Sequence, residues 1–312
     1  MYDAPFTAPG RFWRGNLHTH SNRSDGTLAP QNVADFYRDA GYDFIAITDH
    51  FRADYGYPIT DTRALRTAEF TTLIGAELHG PRTELSDEWH IIALGIPLDF
   101  TPPHPGEHAT ALAQRARSLG AFIGMAHPAA SLLTLADAES LTAAHAVEIH
   151  NALAALEHRA DSTHLYDLLL ARGHRLSAYA ADDAHFKVDT PRAAAAWVQV
   201  RAESLDPDDL LEALKQGRYY SSTGPSIHDI RIDAHTVLVR CSPAQKIVLT
   251  SSAPGLELVQ GDGLTECEVP LRKFASAPFI RVTVEDAAGR RAWSNPLAVP
   301  NLPLTAAQDS AT

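Results

Sequence analysis

The chain has 312 residues, of which 45% are hydrophobic and 21% charged, and its formal net charge is −12. This composition is typical of a globular protein with a sizeable core, and the length suits one large domain with a smaller one. The acidic balance, without a run of lysine or arginine, argues against a nucleic-acid binder, which needs a basic face. An anionic small-molecule substrate is still compatible with it, because bound cations reverse the local field.

The ends and the cysteines add three expectations. Residues 1–15 lack the basic and apolar regions of a secretory signal, so we expect a cytoplasmic protein. No apolar run reaches the roughly 18 residues of a membrane-spanning helix, so we expect no membrane span. Cys241 and Cys267 form no CxxC pattern, which favours small buried thiols, and the sequence leaves open whether they pair.

Short apolar runs alternate with helical patterns along the first two-thirds of the chain, which predicts βαβ units and a mostly parallel sheet. The predicted strands are 16–20, 43–48, 72–77, 90–96, 121–126, 146–150, 175–181 and 195–200. Pro30 and Gly41 are typical of the start and the end of a helix over 31–40. Asp206 and Gly217 enclose a second helix in the same way.

The pattern changes after Gly224 and Pro225. From 227 to 299, short strand-like runs are separated by breaks rich in Gly, Pro, Ser and Asp. The clearest runs are 236–240, 246–249, 279–284 and 292–293, with a turn over 286–289. This pattern predicts a small all-β, sandwich-like domain over 226–300, after a domain over 1–225 and before a polar tail over 301–312.

The strongest local signal for a site is the pair His18 and His20. Residues two apart in a strand point to the same face, so the two imidazoles can bind one metal ion together. A single HxH motif is weak evidence, because one is expected about once by chance in a chain so rich in histidine.

Other polar residues strengthen this signal because they follow apolar strands. His50, Glu77 and His127 each end such a strand, as do Asp183 and His185, and Asp25 lies in a nearby turn. The carboxyl ends of parallel strands in an α/β barrel meet at one face, which predicts that these side chains meet. Their nitrogen and oxygen atoms suit Zn, Mn or Fe, and Mg less well.

The motifs together resemble the polymerase and histidinol phosphatase (PHP) superfamily. The resemblance covers residues 14–190 and rests on His18-x-His20, the turn at Asp25, Thr48-Asp49-His50, Gly75-x-Glu77, His90, Ala126-His127-Pro128 and Asp183-x-His185. Residues 148–151 and 219–225 are similar to the subgroup of PHP metallohydrolases related to carbaryl hydrolase. Proteins of that subgroup often carry a small C-terminal β domain.

The resemblance implies a distorted (β/α)7 TIM-like barrel and a site with two or three divalent ions (Mn, Zn or Fe). It assigns His18, His20 and Asp183 to one ion. Glu77, shared between ions, holds a second with His90 and His127, and Asp25, His50 and His185 hold a third. His90 is a ligand on this resemblance almost alone, because at the start of a strand it could equally have a capping role. Asp49 and Asp182 are expected to support the ligands or to cap loops.

These expectations lead to a metal-dependent hydrolase of a small phosphate mono- or diester that uses a metal-bridged hydroxide. Glu77, Asp183 and His185 are the predicted catalytic residues. Arg52, Lys187 and Asn151 are the predicted substrate-binding residues, although each could instead have a structural role.

Two alternatives stay open. Hydrolysis of a carbamate, amide or ester would use the same metal site, and aromatic residues shortly after His50 are compatible with it. Convergent Arg and Lys side chains would favour phosphate, whereas an apolar aromatic lining would favour carbamate. A non-catalytic PHP module is the third possibility, and the complete ligand set argues against it.

Overall fold

The computed structural model describes residues 5–86, 88–190, 192–252, 256–274 and 277–299, so the predicted tail over 301–312 lies outside the described residues. The strands are β1 Arg11–Asn16, β2 Phe44–Ile47, β3 His50–Phe51, β4 Thr71–Pro81, β5 Glu88–Leu94, β6 Phe122–Met125, β7 Ala146–Asn151, β8 Ser177–Ala181, β9 Trp197–Ala202, β10 Tyr219–Ser222, β11 Ile227–Ile232, β12 Thr236–Thr250, β13 Leu256–Pro270, β14 Phe279–Glu285, β15 Arg291–Ser294 and β16 Leu297–Ala298. The helices are α1 Pro30–Asp39, α2 Ala109–Ser118, α3 Leu135–Ser140, α4 Thr163–Ala171 and α5 Pro207–Lys215.

The fold is mixed α/β and is built on one large sheet. Its hydrogen-bonded path runs β11-β12-β14-β15-β10-β9-β1-β2-β4-β5-β6-β7-β8, with β3 paired to β4, β13 to β12 and β16 to β14. Parallel pairs join β1 to β2, β2 to β4, β6 to β7 and β7 to β8. β2 and β6 carry no charged or polar side chain, and all four residues of each are buried, as expected for strands covered on both faces.

The structure departs from the expected parallel order at β5. This strand runs antiparallel to both of its neighbours, β4 and β6. Only residues 82–87 connect β4 to β5, which is too short for the crossover of a dozen or more residues that a parallel pair needs. As a result, the start of β5, and not its end, lies beside the end of β4.

The two helices with the clearest sequence signals form within a residue or two of the predicted bounds. In α1, Pro30 occupies the first turn, and Val33, Ala34 and Tyr37 form the buried face. In α5, the Asp206 side chain accepts a hydrogen bond from the backbone N–H of Asp208 and so caps the helix.

The C-terminal strands have their own apolar core and yet belong to the same sheet. β11 to β16 pack around a cluster that includes Ile247, Phe274 and Val282, while β15 pairs with β10 and thereby continues the main sheet. The two strands predicted over 236–240 and 246–249 are one strand, β12, with register shifts between Arg240 and Lys246 that fall at the predicted break. β13 was not among the runs singled out in the sequence.

Cys241 and Cys267 are buried and unpaired, as free thiols. Burial raises the pKa of both to about 11, which keeps them protonated and unreactive. Within the described ranges, no helix has the length and apolar character needed to cross a bilayer.

Candidate metal centre

Two backbone segments that leave the sheet side by side carry four of the predicted ligands. Thr19, after β1, forms a parallel bridge with Ala184, after β8. The His20 N–H donates to the Ala184 carbonyl at 2.9 Å, and the Asp183 N–H donates to the His18 carbonyl at 2.9 Å. Because alternate residues of an extended segment share a face, this pairing brings His18 and His20 to the same place as Asp183 and His185.

Glu77, fully buried on β4, lies at the centre of the nine predicted metal ligands, which are called the cluster below. Its Oε1 is 2.7 Å from His90 Nδ1 and 3.4 Å from His127 Nε2, and its Oε2 is 2.6 Å from His50 Nδ1 and 3.6 Å from His20 Nε2. Burial raises the pKa of this carboxyl. The neighbouring histidines, His90 and His50 foremost, outweigh that effect and hold the pKa well below its ordinary value, so the group is a carboxylate.

The structure brings all nine predicted ligands into four overlapping groups, each compact enough for one ion. The groups are His18, His20 and Asp183; His20, Asp25, His50 and His185; His18, Glu77 and His127; and His50, Glu77, His79 and His90. The first group has the same members as one assignment implied by the family resemblance, and the second contains another of those assignments with His20 added. The third assignment differs, because His90 and His127 approach Glu77 in separate groups and not in one.

The donor atoms fit divalent cations on two counts. All of them are imidazole nitrogens or carboxylate oxygens, the ligand types preferred by Zn, Mn and Fe. In addition, His18 Nε2, Asp25 Oδ1 and Glu77 Oε2 are buried and form no hydrogen bond. An unpaired buried polar atom is costly, and a bound cation would give each of these atoms a partner.

Four of the predicted histidine ligands share a further feature, which concerns the ring nitrogen that faces away from the cluster. One ring nitrogen faces the cluster, while the other contacts a supporting group. For His18 that group is Glu148 at 3.2 Å, for His127 it is Ser131 Oγ at 2.9 Å, for His185 the Asp183 carbonyl at 2.9 Å, and for His20 Ser24 Oγ at 3.5 Å. Metal-binding histidines in proteins are held in this way, since the outer contact fixes which nitrogen presents its lone pair.

Two of the predicted ligands have a strained backbone. His127 has φ 27° and Asp183 has φ 54°, both in the left-handed region that non-glycine residues seldom adopt. Such a conformation costs about 1–3 kcal/mol and concentrates at functional sites. The surrounding hydrogen bonds hold it in place, among them that from Asn151 Nδ2 to Asp183 Oδ2 at 3.2 Å.

Two buried residues beside the cluster were given no role on the basis of sequence. His79 lies two residues after Glu77 on β4, opposite His90 on β5. Glu148, on β7, contacts His18 and accepts the backbone N–H of His127 at 2.5 Å. An alternating Glu77-x-His79 pattern was visible in the strand, whereas nothing local could connect Glu148 with its partners.

Asp49 and Asp182 hold loops, as expected of them. Asp49 accepts hydrogen bonds from Ser21, Ser24 and Thr60, and so fixes the turn that carries Asp25. Asp182 is fully buried and accepts the backbone N–H groups of residues 194, 195 and 196 and the hydroxyl of Tyr37.

The three predicted substrate-binding side chains all have protein partners. Arg52 lies 3.1 Å from Glu88, and Lys187 Nζ lies 2.9 Å from Asp25. Asn151 is buried and donates to both Glu148 and Asp183, while its oxygen accepts the Ala154 N–H. Their contact with a substrate stays a prediction.

A cavity of about 400 Å³ opens onto the cluster. His50, Glu77, His90, His127, Asp183 and His185 form its polar side. Leu153, Ala154, Leu156 and Glu157, from the 3-10 turn Leu153–Glu157, lie on another side, with Ala130 and Thr190. Among the described residues that line this cavity, none is a lysine or an arginine.

Comparison with solved structures supports the fold. A two-domain protein from Bacteroides vulgatus ATCC 8482, which contains a predicted PHP-like metal-dependent phosphoesterase, superimposes with a TM-score of 0.50 at 14% sequence identity, over 97% of both chains. An amidohydrolase from Chromobacterium violaceum matches 56% of this chain and 89% of its own length, with a TM-score of 0.44 and 16% identity. No protein-family model and no curated protein matches the chain.

The resemblance to PHP-like proteins is therefore confirmed at the level of the fold. The match to the Bacteroides protein extends across nearly the whole chain, including the C-terminal strands. Membership of the subgroup related to carbaryl hydrolase stays a prediction.

Proposed function

We propose that the protein is a metal-dependent hydrolase that acts on a small phosphate ester. The observation that carries this proposal is the convergence of the nine predicted ligands, with the buried carboxylate of Glu77 among them, beside an open cavity. Two or three divalent ions, of Mn, Zn or Fe, would be held there. When bound, such ions activate water as a nucleophile near neutral pH and stabilise negative charge on the reacting group.

The protein side chains supply the positioning. His18, His20 and Asp183 would hold one ion, and Asp25, His50 and His185 another. Glu77 would hold a third with His90 and His127, which belong to separate compact groups but lie 2.7 and 3.4 Å from the same Oε1. Asp183 is kept in place by Asn151, so we assign Asn151 to positioning of this ligand in addition to its predicted role.

The cavity favours a substrate with an apolar leaving group. Leu153, Leu156 and Ala154 would contact that group on the side facing the cluster. Positive charge for a phosphoryl group would come from the ions, since the described lining offers no lysine or arginine.

The absence of lysine and arginine from the described lining favours a second candidate, hydrolysis of a carbamate, amide or carboxylic ester. A cavity without cations does not select against a neutral substrate, and an aliphatic lining suits an apolar group. Phosphate and neutral esters therefore need to be compared directly.

For the architecture, we propose that β1, β2 and β4 to β9 form the distorted barrel. The strands after residue 225 then make up the smaller domain. The apolar cluster around Ile247 and Val282 supports this division.

The test is a side-by-side assay of aryl phosphates, phosphodiesters, aryl carbamates and aryl esters with the full chain loaded with Mn or Zn. We expect hydrolysis of at least one class, and we expect Asp183→Asn to lower it by more than about 100-fold and to reduce the metal content. Asparagine tolerates a positive φ, so the backbone is preserved. His228→Ala, on an exposed position of β11, is the control. Absence of bound metal, or of all four activities, would refute the proposal.

A further inference from the structure

His79 is a buried histidine that the metal assignments leave unused. It is 4% exposed on β4, on the same face as Glu77 and opposite His90. Its Nε2 lies 2.9 Å from His50 Nδ1, within hydrogen-bonding distance. Its Nδ1 is buried and forms no hydrogen bond, and the carboxylate near it is that of Glu88, whose Oε2 lies 3.4 Å away. Glu88 Oε2 in turn lies 3.1 Å from Arg52 Nη1.

Both ring nitrogens of His50 lie near carboxylates of the cluster, so its surroundings alone do not decide which nitrogen would bind an ion. Its Nε2 is 3.3 Å from Asp25 Oδ1, which also lies 3.1 Å from His185 Nε2. Its Nδ1 faces Glu77 and His79. A neutral imidazole has one lone pair and one N–H, so His50 can serve an ion through only one of these nitrogens.

The other histidines indicate which nitrogen it is. His18, His20, His127 and His185 each direct one nitrogen into the cluster and the other to a supporting group. If His50 follows this arrangement, Nε2 serves the position shared with Asp25 and His185. Its Nδ1–H is then directed to His79 Nε2, the acceptor at 2.9 Å. Glu77 Oε2 lies closer to Nδ1, at 2.6 Å, but forms no hydrogen bond with it.

We propose that His79 is a positioning residue for His50, within a relay of Glu88, His79 and His50. His79 accepts the Nδ1–H of His50 and in turn carries its own proton on Nδ1, toward Glu88. The ion pair with Arg52 holds the Glu88 side chain in place. Arg52 thereby acts on the metal site through Glu88 and His79. This inference rests on the proposed metal-dependent function.

In a competing arrangement, His79 is itself a metal ligand. His79, Glu77 and His90 could themselves hold an ion, with His50 turned to them through Nδ1. In that case the Asp25 position would lose His50, and His79 would be a ligand. The two arrangements respond differently to glutamine at position 79, because the glutamine oxygen lies near where Nε2 was and accepts a hydrogen bond but binds transition metals poorly.

The test is a Co²⁺ titration of the metal-free full chain, followed by absorption spectroscopy, with metal content measured after dialysis. We expect His79→Leu to weaken one of the bound equivalents about 10- to 100-fold, the usual effect of losing a supporting contact. His79→Gln should restore binding to within about 3-fold of the wild type, and Glu88→Gln should give an intermediate loss. His174→Gln is the matched control, because this histidine also contacts a carboxylate, that of Glu139, but does not belong to the predicted ligand groups.

Three results would overturn the inference. If His79→Gln loses the ion as fully as His79→Leu, His79 is a ligand. If wild type and His79→Leu bind equally, His79 has no role, and the proposed function stands. If the wild type binds no Co²⁺ at all, the proposed function fails together with the inference. Should His79→Leu not fold, the glutamine variants at 79 and 88 still separate these cases.

Discussion

A single buried carboxylate, Glu148, orients two of the predicted ligands. Its Oε1 contacts Nδ1 of His18 at 3.2 Å, while its Oε2 accepts the backbone N–H of His127 and the side-chain amide of Asn151. Asn151 in turn reaches Asp183. The position of His18 and the strained backbone at His127 are thus held by the same group, which lies outside the ligand set.

We expect Glu148→Gln to weaken metal binding at the position of His18, His20 and Asp183 by about 10- to 100-fold. An amide has one acceptor oxygen where the carboxylate has two, so it cannot accept from both His127 and His18. If its NH2 group faces His18 Nδ1, that nitrogen must become the acceptor, and the proton moves to Nε2, toward the ion. Metal content and Co²⁺ affinity measure the effect, with Glu139→Gln as control. Unchanged affinity in Glu148→Gln would contradict this role.

At the scale of elements, His145 joins β6 to β7 through its ring as well as its backbone. Its N–H donates to the Ile123 carbonyl at 2.8 Å, and its Nδ1 accepts the Ile123 N–H at 3.0 Å. The ring also stacks on Phe122, with centroids 5.6 Å apart. Burial, assisted by Arg117 and Lys215, lowers the pKa of His145 from 6.5 to about 4, so the ring is neutral and can accept.

This pKa shift predicts an acid-dependent loss of stability. Because the pKa is lower in the folded state, the unfolded chain takes up the proton first as the pH falls. The stabilisation is therefore complete above about pH 6.5 and decreases toward pH 4. The asparagine oxygen of His145→Asn can accept the same N–H but does not titrate. We therefore expect the loss of unfolding free energy between pH 7 and pH 4.5 to be smaller in this variant by up to about 2 kcal/mol. Urea unfolding at pH 7, 5.5 and 4.5 measures it, and parallel pH profiles for both proteins would contradict the prediction.

The β4–β5 hairpin explains which ligands could be predicted from sequence alone. A strand that ends in a polar residue is a local signal, and it identified His50, Glu77, His127 and Asp183 as neighbours. His90 begins its strand, so its arrival at the same face depends on the reversed direction of β5. That direction follows from the short connection over 82–87, which no strand pattern reveals.

Among the C-terminal strands, β13 could not be predicted as a strand from its own sequence. β13 has mostly exposed side chains and contains Gly261 and Gly263, the latter with φ 66°. Such a segment lacks the apolar alternation of a strand and has the glycines of a turn. Its pairing with β12 over residues 236–250 stabilises it, and this long-range pairing is not visible in the segment itself.

At the scale of the whole molecule, Asn295 fastens the C-terminal strands to β8. Its oxygen accepts the Ala178 N–H at 2.7 Å, and its amide donates to the carbonyls of Gly217 and Tyr219 at 3.0 and 2.9 Å. Ser221, in β10, adds two bonds to β8, from Ala180 N–H at 3.0 Å and to the Ala178 carbonyl at 2.9 Å. β8 leads directly to Asp183 and His185.

We expect Asn295→Ala to destabilise the protein by about 3 kcal/mol, because it removes three hydrogen bonds to buried backbone groups, each worth about 1 kcal/mol. Gln260→Ala, at an exposed position of β13, should change stability by less than about 0.5 kcal/mol. Urea denaturation of both variants measures the difference. A change in Asn295→Ala no larger than that of the control would show that water replaces the lost contacts.

The pairing of β15 with β10 also limits which sequence changes the C-terminal region can tolerate. A C-terminal region attached only by a linker could be lost, exchanged or duplicated as a module. Here a premature stop or a proteolytic cut before Asn295 would remove the partners of β8 and β10, and with them support for the segment that carries two predicted ligands. We therefore expect substitutions in this region to accumulate on its exposed strand, β13. The inner strands should change less, because they support the strand that leads to the candidate metal centre.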